Sequence, residues 1–240
     1  MKSLFIFRRD YRLTDNKGLI EACKNSNEIL CVFIFTPEQT KTNEFFADAS
    51  FQFLIESLKE LDEEIKKKLE SKLYIIYDNN VKALKQIKKN FDYDAIYFNE
   101  DYTPYAKKRD EEIDIYCKKE NIELIKVEDY LLAPMGTFLK KDNTYYGVYG
   151  AFRKITKGYK VNKIDNYKFN KSKFIKIDSP KNLEDFDTFY VKNDKLLIKG
   201  GRSLALNVLK NIDAFSTYET HRDILDYNTT HLSPILNLDV

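Results

Sequence analysis

Ile29-Leu30-Cys31-Val32-Phe33-Ile34-Phe35 is an unbroken apolar run with no polar residue alternating through it. A strand that reads this way has both faces covered, as in a parallel sheet sandwiched between helices. The same grammar repeats on either side. Residues 4–7 form a short buried-type strand, and Leu19, Ile20 and Cys23 follow on a helix that Thr14 or Asp15 is placed to cap. Beyond the run, Phe51, Leu54, Ile55, Leu58, Leu61, Ile65 and Leu69 recur in steps of three and four, the period of a long amphipathic helix. A strand at 73–77, a helix marked by Val81, Leu84, Ile87 and Phe91, a strand at 95–98, a charged helix at 105–119 and a strand at 122–127 complete the alternation. Over residues 1–130 this predicts an α/β unit with a doubly wound, five-stranded parallel sheet and right-handed crossovers. Ligands in such sheets sit beyond the carboxyl ends of strands, here residues 8–12, 36–40 and 99–105.

Composition sets the outer bounds. The 240 residues are 43% hydrophobic and 32% charged, enough apolar content for a core. A balance of 40 Lys and Arg against 38 Asp and Glu excludes a polybasic protein while leaving room for a local basic patch. Three scattered cysteines, Cys23, Cys31 and Cys117, read as reduced thiols in the cytoplasm. Two histidines and no metal-ligand spacing argue against a metal site. The opening apolar stretch is too short for a signal peptide, and no run approaches a transmembrane span, so no membrane partner is expected. Paired carboxylates, nucleophile triads and phosphate-loop glycines are all lacking, so no catalytic side chain is assigned and an ordinary dinucleotide or ATP site is not supported.

Residues 131–199 lose the periodicity and read as a connector with one helical piece near 149–157. Helical spacing returns after Gly200-Gly201 with Leu204, Ala205, Val208, Leu209 and Ile212. The 200–240 segment is near the lower size limit for independent folding and must dock on something.

Five stretches, in order, carry a resemblance. Residues 7–16 (FRRDYRLTDN), Phe45-Phe46 with 53–58, Tyr102-Thr103-Pro104-Tyr105 with Arg109-Asp110, Gly200-Gly201 with Ala205-Leu206, and residues 229–234 (TTHLSP) together resemble the photolyase/cryptochrome family of class I type. The resemblance implies a Rossmann-like antenna domain at 1–130, a connector at 131–199, and the first helices of an all-α FAD domain, left incomplete, at 200–240. It implies light-driven repair of pyrimidine dimers in UV-damaged DNA once a helical FAD-domain polypeptide completes the protein, and no activity for this chain alone. The alternative within the family is an inactive truncated or split half acting as an antenna or interaction module. A generic adenine-nucleotide domain is a third reading, weakened by the missing glycines.

The same resemblance places Tyr218, Thr229, Thr230, Leu232 and Ser233 along one edge of an FAD site, where hydroxyls at a helix start suit a pyrophosphate. His231 stands where many family members have Arg. The antenna cleft falls to Arg9, Asp10, Thr36, Asn99, Glu100, Asp101 and Tyr102, by their place at strand ends. Folate-binding members carry an Asn-Glu pair where this chain has Tyr105 and Ala106, which argues against folate and toward a deazaflavin or flavin antenna. The chain has no Trp, so it holds no version of the family's tryptophan relay.

Plainer readings stand beside these. Arg8, Asp10, Arg12 and Asn16 read as local pairs bracing the first strand-to-helix turn, and Arg109-Asp110 as a structural ion pair. Tyr145, Tyr146, Tyr149 and Phe152 have two readings, stacking on bases or a chromophore, or packing the connector to the core, and the second is favoured. Lys66-Lys67-Lys68 reads as a solvated face.

Overall fold

The computed structural model describes residues 1–41 and 43–237. Five strands, β1 (Lys2–Phe7), β2 (Glu28–Phe35), β3 (Tyr74–Tyr77), β4 (Ala95–Asn99) and β5 (Glu123–Val127), form one parallel sheet in the order β3-β2-β1-β4-β5. Helices α1 (Lys17–Asn25), α2 (Pro37–Thr40), α3 (Asp48–Leu69), α4 (Asn80–Asn90) and α5 (Pro104–Glu120) make the crossovers. The chain winds outward from β1 through β2 to β3, then returns to β4 on the other side of β1. The β1/β4 boundary is therefore the topological switch point.

The apolar run of β2 is explained by parity. Cys31, Phe33 and Phe35 face a core shared with Leu19 of α1 and with Phe51, Ile55 and Leu58 of α3. Leu30, Val32 and Ile34 face the opposite core, shared with Leu84 and Ile87 of α4 and with Ile113 and Cys117 of α5. Each such side chain contributes about 1.5–3 kcal/mol through burial, so both faces must be apolar. The cap of α1 corrects the sequence reading. Asn16, not Thr14 or Asp15, accepts the Leu19 amide through its side chain, while Asp15 sits at φ 52.

The connector is less loose than its composition suggests. Its helix α6 (Tyr149–Thr156) matches the expected piece. Further on, two short 3-10 turns, Lys171–Lys173 and Leu183–Phe189, bring aromatic residues back onto the sheet domain. Phe186 stacks on Phe35 at 3.9 Å between ring centroids, and Phe189 and Tyr190 pack on Phe51. Lys181 bridges Ile75 in antiparallel fashion, and the Ile75 amide donates to Ser179 Oγ at 3.1 Å, so the free edge of β3 is covered. The aromatics that pack the connector are thus those of 167–190. Tyr145 and Tyr149 are each 74% exposed, and the expectation that they pack onto the core is corrected.

Gly200-Gly201 lies against α3. A Cβ at Gly200 would sit 2.2 Å from the Phe53 carbonyl oxygen, and Gly201 adopts φ 118. Their amides donate to Glu56 Oε2 and Ser57 Oγ, and the Ser203 amide and hydroxyl both donate to the Glu60 carboxylate. Helices α7 (Arg202–Lys210), α8 (Tyr218–His221) and α9 (Ser233–Asn237) follow. Leu232 and Ile235 pack near Ala205 and Phe53 and hold this last segment to α3.

Candidate functional site

The turn after β1 is organised around a buried carboxylate. Asp10 Oδ1 accepts the Arg8 amide at 2.9 Å, while Asp10 Oδ2 accepts Asn99 Nδ2 at 2.6 Å and Asn16 Nδ2 at 3.0 Å. Asn99 Nδ2 also reaches Asn16 Oδ1, and Asn99 Oδ1 accepts the Gly18 amide. Gly18 is required there, because a Cβ would lie 2.5 Å from Asn99 Oδ1. Asp10, Asn16 and Asn99 are fully buried. Burial pushes the Asp10 carboxyl up, against the pull of its hydrogen bonds and of Arg12.

Arg8 leaves this knot in the opposite direction. Its guanidinium lies 3.4 Å from the Phe98 ring centroid and 2.8 Å from Asp110, which also pairs with Arg109 Nε at 2.9 Å. Burial, with Arg109 beside it, pushes Arg8 down to about 10, so it stays cationic at neutral pH. Arg9 meets Asp101 at 3.4 Å, and Arg12 meets Asp129 at 2.7 Å. The bracing role of these residues is therefore real: Asp10, Asn16 and the Arg8 amide pair within the turn, while the three guanidinium groups also reach carboxylates after β4, on α5 and after β5.

Above the carboxyl ends of β1, β2 and β4 lies a cleft of about 200 Å³ lined by Arg8, Arg9, Thr36, Asp101, Tyr105 and Arg109. It shares Asn80, Tyr105 and Arg109 with an outer cavity of about 430 Å³ that adds Asn79 and Lys108. Together they fall within the roughly 300–1,000 Å³ of small-molecule sites. Arg8 Nη2 and Arg109 Nη2 are buried here with no hydrogen-bond partner among the described residues. The N-terminal turn of α4, at Asn79-Asn80, opens on the same space and adds a positive dipole end. Tyr105 is 46% exposed and offers a ring face, with the Arg109 guanidinium 5.8 Å from its centroid.

The strand-end candidates divide three ways. Arg9, Thr36 and Asp101 line this cleft. Asp10 and Asn99 lie beneath it as the buried support of the turn. Glu100 and Tyr102 line a different cavity, of about 60 Å³, beside Lys17, Asp129 and Tyr130. Sequence reasoning placed Tyr105 within the strand-end stretch 99–105 without naming it as a lining residue, missed Asn80, and took Arg109 as an ion-pair member alone. The signal for Tyr105 was its position one step inside the helix that follows β4.

The candidate FAD-edge residues are not gathered into any of these cavities. Tyr218 is 45% exposed, Thr229 and Thr230 are half-buried, and Ser233 is exposed. Leu232 is used in packing. His231 sits at φ 51 with Nε2 2.7 Å from Asn228 Oδ1.

A family model described as DNA photolyase matches residues 3–166, the stretch that holds the whole sheet and the cleft. The chain belongs to the DNA photolyase family. A photolyase of Sulfolobus tokodaii, solved with two FAD molecules and described as implicating a novel light-harvesting cofactor, aligns with TM-score 0.86 and 33% identity over 100% of this chain and 52% of that one. The deoxyribodipyrimidine photo-lyase of Synechococcus is 29% identical over 63% of this chain and 31% of its own length. That of Buchnera aphidicola is 26% identical over 96% of this chain and 50% of its own. This photolyase-family chain thus spans about half the length of the solved structure it matches. No helix among the described residues is long and apolar enough to cross a membrane.

Proposed function

We propose that this chain is the antenna-type half of a photolyase/cryptochrome flavoprotein and that its cleft holds a flavin-class chromophore. The carrying observation is the pair of unpartnered, buried guanidinium nitrogens of Arg8 and Arg109 beside the ring of Tyr105. Cationic donors and the α4 N-terminus suit a phosphate, and the tyrosine face suits a fused aromatic ring. The Sulfolobus relative's two FAD molecules support flavin over folate. Such a chromophore, when bound, would supply light absorption and transfer of the excitation. The chain's own residues bind and orient it. Arg8 is held on Phe98 and Asp110, Arg9 on Asp101, and Tyr105 is carried on the rigid start of α5.

The wider reading is light-driven repair of pyrimidine dimers in UV-damaged DNA, by a protein in which a helical FAD-binding half joins this one. In that reading Tyr218, Thr229, Thr230 and Ser233 form one wall of the FAD site. Exposed Leu204, Leu206, Leu209, Leu225 and Leu236 support a helical neighbour packed on this segment.

The test titrates the purified chain with FAD, FMN and a deazaflavin, following flavin fluorescence. We expect saturable binding that Tyr105→Ala and Arg109→Gln each weaken about tenfold, equivalent to about 1.4 kcal/mol. Tyr218→Ala should leave it unchanged. Absence of saturable binding, or indifference to both cleft substitutions, overturns the assignment.

A further inference from the structure

One buried polar group of the cleft has no role in the folded chain. Thr36 joins the end of β2 to the start of α2 and is only 2% exposed. Its backbone is satisfied locally. The Thr36 amide donates to Gln39 Oε1 at 3.0 Å, and the Thr36 carbonyl oxygen accepts the Gln39 amide at 3.0 Å and the Thr40 hydroxyl at 3.1 Å. The Thr36 hydroxyl stands where a helix cap would, yet it makes no cap bond and is buried without a hydrogen-bond partner among the described residues. A buried hydroxyl left unpaired is a cost to the fold, and a ligand atom that accepts from it removes that cost.

The surroundings of that hydroxyl say which kind of atom it takes. Thr36 lines the inner cavity of about 200 Å³ together with Ile6, Phe7, Phe33 and Ile34 at the ends of β1 and β2. A guanidinium attracts any acceptor, phosphate included. A neutral hydroxyl among apolar residues is different, because a doubly charged phosphate loses its water there without a counter-charge. It suits the edge of a fused heteroaromatic ring, where a ring nitrogen or a carbonyl oxygen accepts one hydrogen bond. Tyr105 lines both the inner and the outer cavity, so a ring lying on its face reaches from one into the other.

We propose that Thr36 is a specificity-determining residue of the cleft, its hydroxyl donating to an acceptor on the edge of the bound ring. The assignment rests on the flavin-class reading of the site and divides the labour within it, the phosphate going to the guanidinium groups and the ring edge to Thr36. Thr36→Val removes the hydroxyl at nearly constant shape, and Thr36→Ser keeps it. The full chain is titrated with FMN, with riboflavin, which has the ring and no phosphate, and with a deazaflavin analogue of riboflavin, in which carbon replaces one ring nitrogen. We expect Thr36→Val to weaken FMN and riboflavin alike, about tenfold, and Thr36→Ser to stay close to the parent. Arg109→Gln should weaken FMN and spare riboflavin. A Thr36→Val loss as large with the deazaflavin as with riboflavin assigns the acceptor to a ring carbonyl, and a loss confined to riboflavin assigns it to the nitrogen. Without ligand, Thr36→Val should leave the urea midpoint unchanged or raise it, because it takes an unpaired hydroxyl out of the interior. A hydroxyl that only braced the turn would give a lower midpoint. That lower midpoint, full-strength riboflavin binding by Thr36→Val, or Thr36→Ser as weak as Thr36→Val overturns the proposal and leaves the flavin reading in place. Absence of saturable binding by the parent removes both.

Discussion

Asp10 has no exposed surface, yet three donors converge on it, from the Arg8 amide, Asn16 and Asn99. Burial still dominates and raises its carboxyl above the ordinary range. A raised folded value means the folded state holds the proton more tightly than the unfolded state. Its contribution is therefore full below the unfolded value and is lost as pH rises through the folded one. Urea unfolding of wild type and Asp10→Asn should show the wild-type advantage shrinking as pH climbs from below the usual carboxylate range to neutrality. A constant or growing advantage would contradict the assignment. Asp10 and Asn99 were legible in the sequence as strand-end residues. Their inward direction was not, because it depends on Gly18 admitting Asn99 to the base of α1. A lone glycine in an apolar helix was the available clue. The neighbours of Tyr105 were hidden for a related reason. Sequence places it at a helix start, but only the order β2-β1-β4 brings that start beside Arg8 and Thr36.

Among the elements, α3 serves two partners. Its Phe51 and Ile55 face the sheet, while Glu56, Ser57 and Glu60 accept the amides that open the 200–237 segment. Close approach is possible because residue 200 has no Cβ. Gly200→Ala must shift backbone against Phe53, a strain of about 1–3 kcal/mol. The expected result is local: faster proteolysis within 202–237, with the main unfolding transition of the sheet domain little changed. A loss of the sheet transition itself would show that the segment is integral to the core. The helical period of α3 and the strand-helix alternation were readable because a repeating period reports a buried face. The bond between α3 and Gly200 was not, since side chain-to-backbone pairs 144 residues apart leave no periodic trace.

At the scale of the whole molecule, the fold rests on a sheet core that the 1–130 pattern predicts and on a return of the connector that it does not. Phe174, Leu183 and Phe186 belong to the same buried cluster as Phe35 and Ile55. Phe186→Ala should destabilise the sheet domain by about 3–5 kcal/mol, read as a shifted denaturant midpoint. A change under about 1 kcal/mol, the scale of a surface substitution, would mean that the return is superficial. Composition concealed this element: isolated aromatics among Lys, Asn and Asp have no period, although they lie on a long-range contact.

That return has a consequence for biosynthesis. Ile75 meets Ser179 across 104 residues of chain. At roughly 5–20 residues per second, β3 waits about 5–20 seconds after its own synthesis before its edge is closed. During that interval the nascent sheet presents an open strand edge, and chaperone engagement falls due before the connector has emerged.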